Sequence, residues 1–168
     1  MLVHLGMTGK FFFVNNKDRK CKTSFYYDIN EKKDKKHDHV IFYLEKKKKL
    51  IYNDVRKFGF IKILNSNTFN ENSHLNSLGP EPLKKDFDYI YFKKFLKGRK
   101  RSIKSILMDQ KFVSGLGNIY VNEILFSSKV KPDRKVKMLK NYEIKKIIHF
   151  TKKILRHSIK SGGSSIKD

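Results

Sequence analysis

The sequence predicts an α+β protein in which a strand-rich part, residues 1–77, precedes a helical part, residues 78–168. Up to about residue 64, apolar residues occur in short runs rich in β-branched and aromatic side chains, separated by turn residues. After Pro82 they recur at helical spacing. Pro80 and Pro82 exclude helix between the two parts. Strands followed by helices are typical of the α+β class.

Six segments of the first part are predicted strands, because each is too short for a helix and is bounded by turn residues. We expect them to pair antiparallel. The stretch 65–77, rich in Asn, is expected to be a polar connector. The predicted strands are Leu2–Leu5, Lys10–Val14, Ser24–Ile29, His39–Leu44, Leu50–Asn53 and Phe58–Leu64.

Four helices are predicted in the second part. The longest has a stripe of apolar residues opposite Lys and Arg, and it ends before Gly162-Gly163. The predicted helices are Asp86–Leu96, a run from Ile103 that Ser102 caps, Ile119–Phe126 with Asn118 at its start, and Tyr142–Ile159.

A formal net charge of +23 predicts a polyanionic partner. Only six of the 39 basic residues are Arg, and Ala is absent. This composition is typical of an AT-rich genome, which would place Lys on any solvated surface. The Lys-rich runs 32–36 and 46–49 therefore fit a solvated face as well as a binding surface. We expect nucleic acid as the partner, with an acidic membrane as the weaker alternative.

No run approaches the ~20 apolar residues of a membrane span, and the opening residues are too quickly polar for a secretory signal. Cys21 is the only cysteine, so we expect neither an internal disulfide nor a thiolate zinc site in these residues. The composition predicts a cytoplasmic protein that is stabilised by its core.

A glycine-containing segment, 114–118, lies between two predicted helices. Glycines let a backbone approach a ligand closely, and the following helix offers free N–H groups at its positive end. Asn118 would add a side-chain donor. An ordinary turn with Asn118 as N-cap explains the same pattern, but the basic surroundings favour a duplex backbone.

Arg56 and Phe58 are two positions apart, so on an extended chain they would point to the same side. A cation beside a ring that inserts into a base stack suits duplex binding. The alternative is a buried Phe58 beside a surface Arg56. Met7, between Gly6 and Gly9, has the same two interpretations, as core filler or as an inserted side chain.

His37-Asp38-His39 would put two histidines on one face of a strand. Without Cys or a third His nearby they make a weak metal site, so a hydrogen bond to phosphate or a structural role is the better interpretation. We expect no metal and no cofactor in this chain. No Ser-His-Asp order, Walker loop or paired acidic motif stands out.

Seven strings, taken in order, resemble the formamidopyrimidine-DNA glycosylases, which are bacterial base-excision repair enzymes. The resemblance spans essentially the whole chain, and its specificity lies in the shared order. The strings are His4-Leu5-Gly6-Met7-Thr8-Gly9, His37-Asp38-His39-Val40, Asp54-Val55-Arg56-Lys57-Phe58-Gly59, Leu78-Gly79-Pro80-Glu81-Pro82-Leu83, Leu107-Met108-Asp109-Gln110-Lys111 running into Gly115-Leu116-Gly117-Asn118-Ile119-Tyr120, Asn122-Glu123-Ile124-Leu125-Phe126, and Gly162-Gly163-Ser164-Ser165-Ile166-Lys167-Asp168.

The resemblance implies the C-terminal part of an antiparallel β-sandwich domain, 1–77, followed by a helix-two-turns-helix domain, 78–168. The family excises oxidised purines such as 8-oxoguanine and nicks the abasic strand. The implied partner is double-stranded DNA with oxidised purines or abasic sites, bound by a monomer. An endonuclease VIII-like glycosylase and a basic ribonucleoprotein component that uses the helical half are the alternatives.

The resemblance also implies roles for single residues. Met7, Arg56 and Phe58 would fill the void left by a flipped-out base, a combination that favours this branch over the endonuclease VIII relatives. His4 and Asn118 would hold phosphates beside the lesion, and Lys104 matches a basic residue near the site. The expected DNA-binding residues are His4, Met7, His37, Arg56, Lys57, Phe58, Lys104, Gly117 and Asn118.

The chain also departs from the family pattern. The family's N-terminal Pro-Glu, whose proline amine forms a Schiff base with the sugar, and the four zinc-binding Cys are not among these residues. Val55 and Lys57 replace the usual Pro and second Arg. We therefore expect a fragment of a bifunctional DNA glycosylase and abasic-site lyase, without a catalytic residue of its own. If these 168 residues are the whole protein, we expect it to bind DNA without glycosylase or lyase activity.

Overall fold

A computed structural model describes residues 1–14, 20–22, 35–65 and 73–162. The chain divides into two compact units, with the described part of residues 1–69 in the first and that of 70–164 in the second. Strands form the first unit and helices dominate the second, so the α+β class is confirmed. The domain boundary between residues 77 and 78 stays a prediction.

The described strands of the first unit form two antiparallel sheets, as expected. One sheet pairs the first strand with the last, and the other has the order β3-β2-β5-β4. The strands are β1 Leu2–His4, β2 Lys10–Val14, β3 Lys20–Lys22, β4 Asp38–Leu44, β5 Lys48–Asn53 and β6 Phe60–Lys62.

A small core lies on one face of the four-stranded sheet. Phe12 and Val14 alternate along β2 and are both buried, and Phe12 is opposite the buried Ile51 of β5. Burial continues along β5 through Tyr52 and Asn53. This buried strand end leads directly into the loop that carries the candidate site.

Two strand predictions were not confirmed as made. Ser24–Ile29 lies outside the described residues. Phe58–Leu64 was too long, since the strand is only β6, Phe60–Lys62. Gly59 packs so tightly that a Cβ on it would lie 1.9 Å from the Tyr52 hydroxyl, and Lys57 takes a left-handed φ of 56°. These constraints keep Phe58 in the loop before the strand.

The second unit has five described α-helices. Asp88 caps the second, accepting from the Tyr91 N–H at 2.8 Å, and Ser102 caps the third as predicted. The first helix lies within residues 65–77, which were predicted to be a connector, so that prediction was wrong for these four residues. A single helical turn is too short to show helical periodicity in the sequence. The helices are α1 Ser73–Asn76, α2 Tyr89–Leu96, α3 Ile103–Leu107, α4 Asn118–Ser128 and α5 Asn141–Lys160.

An aromatic cluster forms the centre of the second unit. The rings of Phe87 and Phe92 contact Phe112 edge-on, with centroids 5.8 and 4.9 Å from that of Phe112. Helix α5 adds its buried residues Ile144 and Ile147, which confirms its apolar stripe. Among the described residues, no helix is long and apolar enough to cross a membrane.

Candidate nucleic-acid interface

Two loops of the first unit, residues 5–9 and 54–59, meet at the buried side chain of Asp54. Its carboxylate accepts hydrogen bonds from the Thr8 hydroxyl at 2.5 Å and the Tyr52 hydroxyl at 3.0 Å. It also accepts from the backbone N–H groups of Arg56 and Gly59, at 3.2 and 2.9 Å. One carboxylate therefore joins both loops to the end of β5.

The ionised form of Asp54 is the one that this arrangement needs. Burial raises the pKa of its carboxyl, but the hydrogen bonds from Thr8, Gly59, Tyr52 and Arg56 together outweigh burial and hold that pKa well below its usual range. Desolvation, followed by the hydrogen bond to Asp54 and its charge, raises the pKa of the Tyr52 phenol. An ionised carboxylate can accept from all four donors at once.

Met7, Arg56 and Phe58 form an exposed triad at the tips of these two loops. The Arg56 guanidinium lies 4.5 Å from the centre of the Phe58 ring, and its Nη1 donates to the Met7 sulfur at 3.1 Å. Met7 is 69% exposed and Phe58 is 58% exposed. The core-filler interpretations of Met7 and Phe58 are therefore wrong.

Arg56 and Phe58 are not brought together by an extended chain, as the sequence predicted. Arg56 and Phe58 lie on a turn in which Lys57 is left-handed, not on an extended strand. On the other loop, the Gly9 N–H donates to the Leu5 carbonyl at 2.9 Å, and a Cβ on Gly9 would lie 2.2 Å from that oxygen. This tight turn carries Met7 to the Arg56 side chain.

The His37-Asp38-His39 motif supports the same loop. The strand begins at Asp38 and His37 lies in a 3-10 turn, so the prediction that both histidines share a strand face was wrong. The His37 carbonyl accepts from the Asp54 N–H at 3.0 Å, and His39 Nε2 donates to the Asp54 carbonyl at 2.8 Å. The motif thus has the structural role that the sequence offered as one alternative.

The other first-unit candidates are His4 and Lys57. His4 ends β1 with its side chain exposed, and its ring stacks on Phe60 with 5.4 Å between centroids. Lys57 is exposed beside the triad. Both are accessible to a ligand at the surface that carries Phe58.

In the second unit the glycine-containing segment forms the turn before α4. Gly115 has a left-handed φ of 82°, which suits glycine. The Gln110 side chain holds this turn from both ends of its amide, accepting from the Gly115 N–H at 2.7 Å and donating to the Leu116 carbonyl at 2.9 Å. The turn is therefore fixed by a side chain.

The N-cap of α4 is Gly117, so the interpretation of Asn118 as the cap was wrong. Gly117 has no side chain to satisfy the first N–H groups of the helix, and nothing lies within 4 Å of where its Cβ would be. Within the described part of the chain, the exposed Asn118 side chain makes no hydrogen bond. Free N–H groups beside an amide suit a phosphate.

Lys104 lies on α3, partly buried, in a shallow groove with Arg101 and Asp109. Arg101 pairs with Asp109 at 2.7 Å. The hydrogen bond from Arg101 is the main cause that lowers the pKa of the Asp109 carboxyl. Because this carboxylate is already paired with Arg101, the Lys104 ammonium is not neutralised by it.

The sequence reasoning missed two positioning residues, Asp54 and Gln110. Asp54 follows a buried strand directly and precedes Arg-x-Phe-Gly, and a carboxylate at a buried strand end needs donors nearby. Gln110 lies five residues before Gly115. No periodicity marks either residue.

In residues 1–14, 35–65 and 73–162, no group of three or more His, Cys, Asp or Glu is placed to hold a metal. The family's zinc finger needs four thiolates, whereas the chain has one Cys, so the residues present do not fit that metal.

Comparison with known proteins identifies both units. Residues 1–61 match the family model described as the formamidopyrimidine-DNA glycosylase N-terminal domain, and residues 78–168 match the H2TH domain of the same enzyme. Among curated relatives, formamidopyrimidine-DNA glycosylases of Bradyrhizobium sp. strain BTAi1 and Wolbachia pipientis are 36% and 39% identical. Each comparison covers 100% of this chain but only 59% and 56% of the relative.

Solved structures give the same result. Lactococcus lactis Fpg in complex with an abasic site containing DNA has a TM-score of 0.80 at 33% identity, covering 98% of this chain and 55% of that one. MutM in complex with carbocyclic 8-oxo-G containing DNA has a TM-score of 0.80 at 33% identity, covering 98% and 57%. The chain thus spans less than two thirds of the proteins that it matches. It belongs to the formamidopyrimidine-DNA glycosylase family.

Proposed function

We propose that the protein recognises damaged sites in duplex DNA and acts in base-excision repair, in which the intact family enzyme excises oxidised purines such as 8-oxoguanine and formamidopyrimidine and cleaves the abasic site by β-elimination. Family membership supports this, together with relatives whose structures hold abasic and 8-oxo-G containing DNA. The observation that carries the proposal is the exposed triad, in which three large side chains of different chemistry meet at a loop tip.

The triad suits a void in a base stack. When a nucleotide leaves the duplex, its neighbours lose stacking at a cost of a few kcal/mol. The Phe58 ring and the Met7 thioether offer apolar surface to the flanking bases, while Arg56 offers donors to the base left unpaired. Asp54 positions them by fixing both loops. Preorganised loops need no ordering when DNA binds.

In this proposal the remaining candidate residues bind the phosphate backbone of the DNA. His4, His37 and Lys57 of the first unit would contact phosphates near the triad. In the second unit, Gly117 and Asn118 would bind a phosphate through the free N–H groups of α4 and the amide. Lys104 would add a cation for DNA. We assign no catalytic residue among these 168.

A binding comparison tests the proposal. The chain is titrated against one duplex sequence with and without a central abasic-site analogue, and against a structured RNA of equal length. We expect at least several-fold tighter binding to the abasic duplex. Equal affinity for both duplexes would contradict damage recognition, and tighter binding to RNA would favour the ribonucleoprotein alternative.

Location and assembly belong to the same proposal. A composition with a single Cys supports a cytoplasmic protein. We propose that one chain binds one damaged site without a membrane and without a second copy. Sedimentation with and without abasic duplex would show a 1:1 complex if this is right.

A further inference from the structure

Helix α5 has a second basic surface, here called the α5 stripe. Six side chains recur at spacings of one, three and four residues and line a shallow groove on one side of the helix. The opposite side holds the buried residues Ile144, Ile147 and Thr151. The stripe therefore faces away from the core of the second unit. Its members are His149, Lys152, Lys153, Arg156, His157 and Lys160.

No described carboxylate balances this stripe. The only acidic residue of α5, Glu143, is 4% exposed and pairs with Arg134 at 2.8 Å. Lys152 donates to the Lys84 carbonyl at 3.3 Å, and the Lys84 ammonium is itself paired with Glu81 at 3.0 Å. Among the described residues, no member of the stripe forms a salt bridge.

Such an arrangement is unfavourable in isolation. Like charges three or four residues apart on a helix destabilise it by about 0.2–0.5 kcal/mol per pair. The stripe has four Lys or Arg side chains at these spacings, Lys152, Lys153, Arg156 and Lys160. A bound polyanion would remove this repulsion and release its own counterions.

We propose that the α5 stripe is a second nucleic-acid-binding surface that holds the phosphodiester backbone without regard to base or lesion. From His149 to Lys160 the helix rises ~16 Å, and B-DNA of that length carries about ten phosphates on its two strands. The four Lys and Arg side chains along this length are close in number to the roughly five phosphates of one strand.

Nucleic acid fits better than a membrane surface. Helices that lie on membranes bury an apolar face in the lipid. The apolar face of α5 is packed in the core from Ile144 to Leu155, although Ile159 at its end is exposed, and the stripe itself contains only cationic and imidazole side chains. The stripe could therefore attract an acidic membrane by its charge, but it has no apolar residue of its own to insert into the lipid.

The inference adds to the proposed function and can fail separately from it. The triad gives a preference for damaged sites, which is a ratio of two affinities. The stripe gives affinity common to every duplex, which appears as salt dependence. A protein without lesion preference would contradict the proposed function and leave the stripe's salt effect intact.

The test neutralises three cations of the stripe. The triple variant Lys152→Gln, Lys153→Gln and Arg156→Gln is titrated with undamaged and abasic duplex at several salt concentrations. Each lost phosphate contact lowers the slope of log K against log salt by about 0.9, so three should lower it by about 2.7. The ratio of the affinities for abasic and undamaged duplex should stay unchanged.

The matched control removes the same charge from α2 and its C-cap, by Lys93→Gln, Lys94→Gln and Lys97→Gln. We expect its slope to change by less than about one unit. An equal loss in both triples would mean that only overall charge matters and would overturn the proposal. So would a stripe triple that binds duplex normally but no longer binds phosphatidylserine vesicles.

Two further variants guard against misfolding. Lys152→Arg with Lys153→Arg keeps the charge and should keep the full salt slope, whereas loss of the slope would mean that the lysines act through packing. If the triple variant does not fold by circular dichroism, Arg156→Gln alone should lower the slope by about 0.9. An unchanged slope in that folded variant would overturn the assignment.

Discussion

Asp54 is the residue on which the candidate site depends. A fully buried carboxylate is unfavourable unless it is hydrogen-bonded, and Asp54 meets that condition with four donors from two loops. The result is a rigid base under two exposed apolar side chains, Met7 and Phe58. The buried carboxylate of Asp54 thus holds the exposed side chains of Met7 and Phe58 in place at the proposed DNA-binding surface.

Replacement of Asp54 by Asn should be costly. An amide has one acceptor oxygen, so its NH₂ group would face donors that now point at a carboxylate. We expect Asp54→Asn to lower the free energy of unfolding of the first unit by about 1–3 kcal/mol, measured by urea unfolding at pH 7. The control Asp38→Asn, whose carboxylate accepts from Asn53, should cost less. Equal costs would contradict the role of Asp54.

The stabilities of the wild type and of Asp54→Asn should depend differently on pH. Because the folded pKa of Asp54 is lowered, its stabilisation is present above the unfolded pKa of about 3.9 and is lost as the pH falls below about 4. The wild type should therefore lose more stability than Asp54→Asn between pH 6 and pH 3. Asp109, whose pKa is also lowered, is present in both proteins and cancels.

Residue types alone predicted part of the site. The types of Arg56, Phe58 and Met7 left a core role and insertion into DNA both open, and the family resemblance favoured insertion; the structure brings these three side chains together at the surface. Asp54 and Gln110 were missed because their roles come from long-range contacts. Thr8, for example, is 46 positions from Asp54. No local pattern records such a pair.

Two glycines of the second unit, Gly79 and Gly117, have different roles. A Cβ on Gly79 would lie 2.4 Å from the Phe112 carbonyl oxygen, and the Gly79 N–H donates to the Gln110 carbonyl at 2.8 Å. Gly117, in contrast, has open space where its Cβ would be. The first glycine is needed for packing, and the second leaves room for a ligand.

Alanine at these two positions should separate folding from binding. We expect Gly79→Ala to destabilise the second unit by about 1–3 kcal/mol, because backbone atoms cannot move aside easily. Gly117→Ala should melt within about 0.5 kcal/mol of the wild type and bind all duplexes several-fold more weakly, since its methyl group would meet the phosphate. Unchanged affinity of Gly117→Ala would exclude a close backbone approach at this turn.

Long elements with a clear period were predicted best. The apolar stripe predicted α5 to within one residue at each end, and Ser102 marked the start of α3. Phe58 was assigned to a strand because the run 58–64 is short and rich in aromatic and β-branched residues. The left-handed Lys57 keeps Phe58 out of that strand, and nothing in a lysine signals such a backbone.

At the scale of the whole chain, net charge says little about which polyanion is bound. A charge of +23 attracts any polyanion, and part of it reflects a lysine-rich composition. Composition could therefore not separate DNA from RNA or membrane. The order of the seven motifs indicated the family, and two family models match the chain in that order, over residues 1–61 and 78–168.

In the proposed function, the exposed triad recognises the void at a damaged site. Phe58→Ala tests this recognition, because a 58% exposed ring contributes little to the core. The control is Tyr43→Ala, which removes a 76% exposed ring from the same unit. Both variants are measured for melting temperature and for affinity to abasic and undamaged duplex.

We expect Phe58→Ala to melt with the wild type and to lose about ten-fold of its affinity for the abasic duplex, or ~1.4 kcal/mol, while its affinity for undamaged duplex changes little. Tyr43→Ala should leave the ratio of the two affinities unchanged. A Phe58→Ala protein that melts earlier, with the ratio of abasic to undamaged affinity intact, would contradict the account.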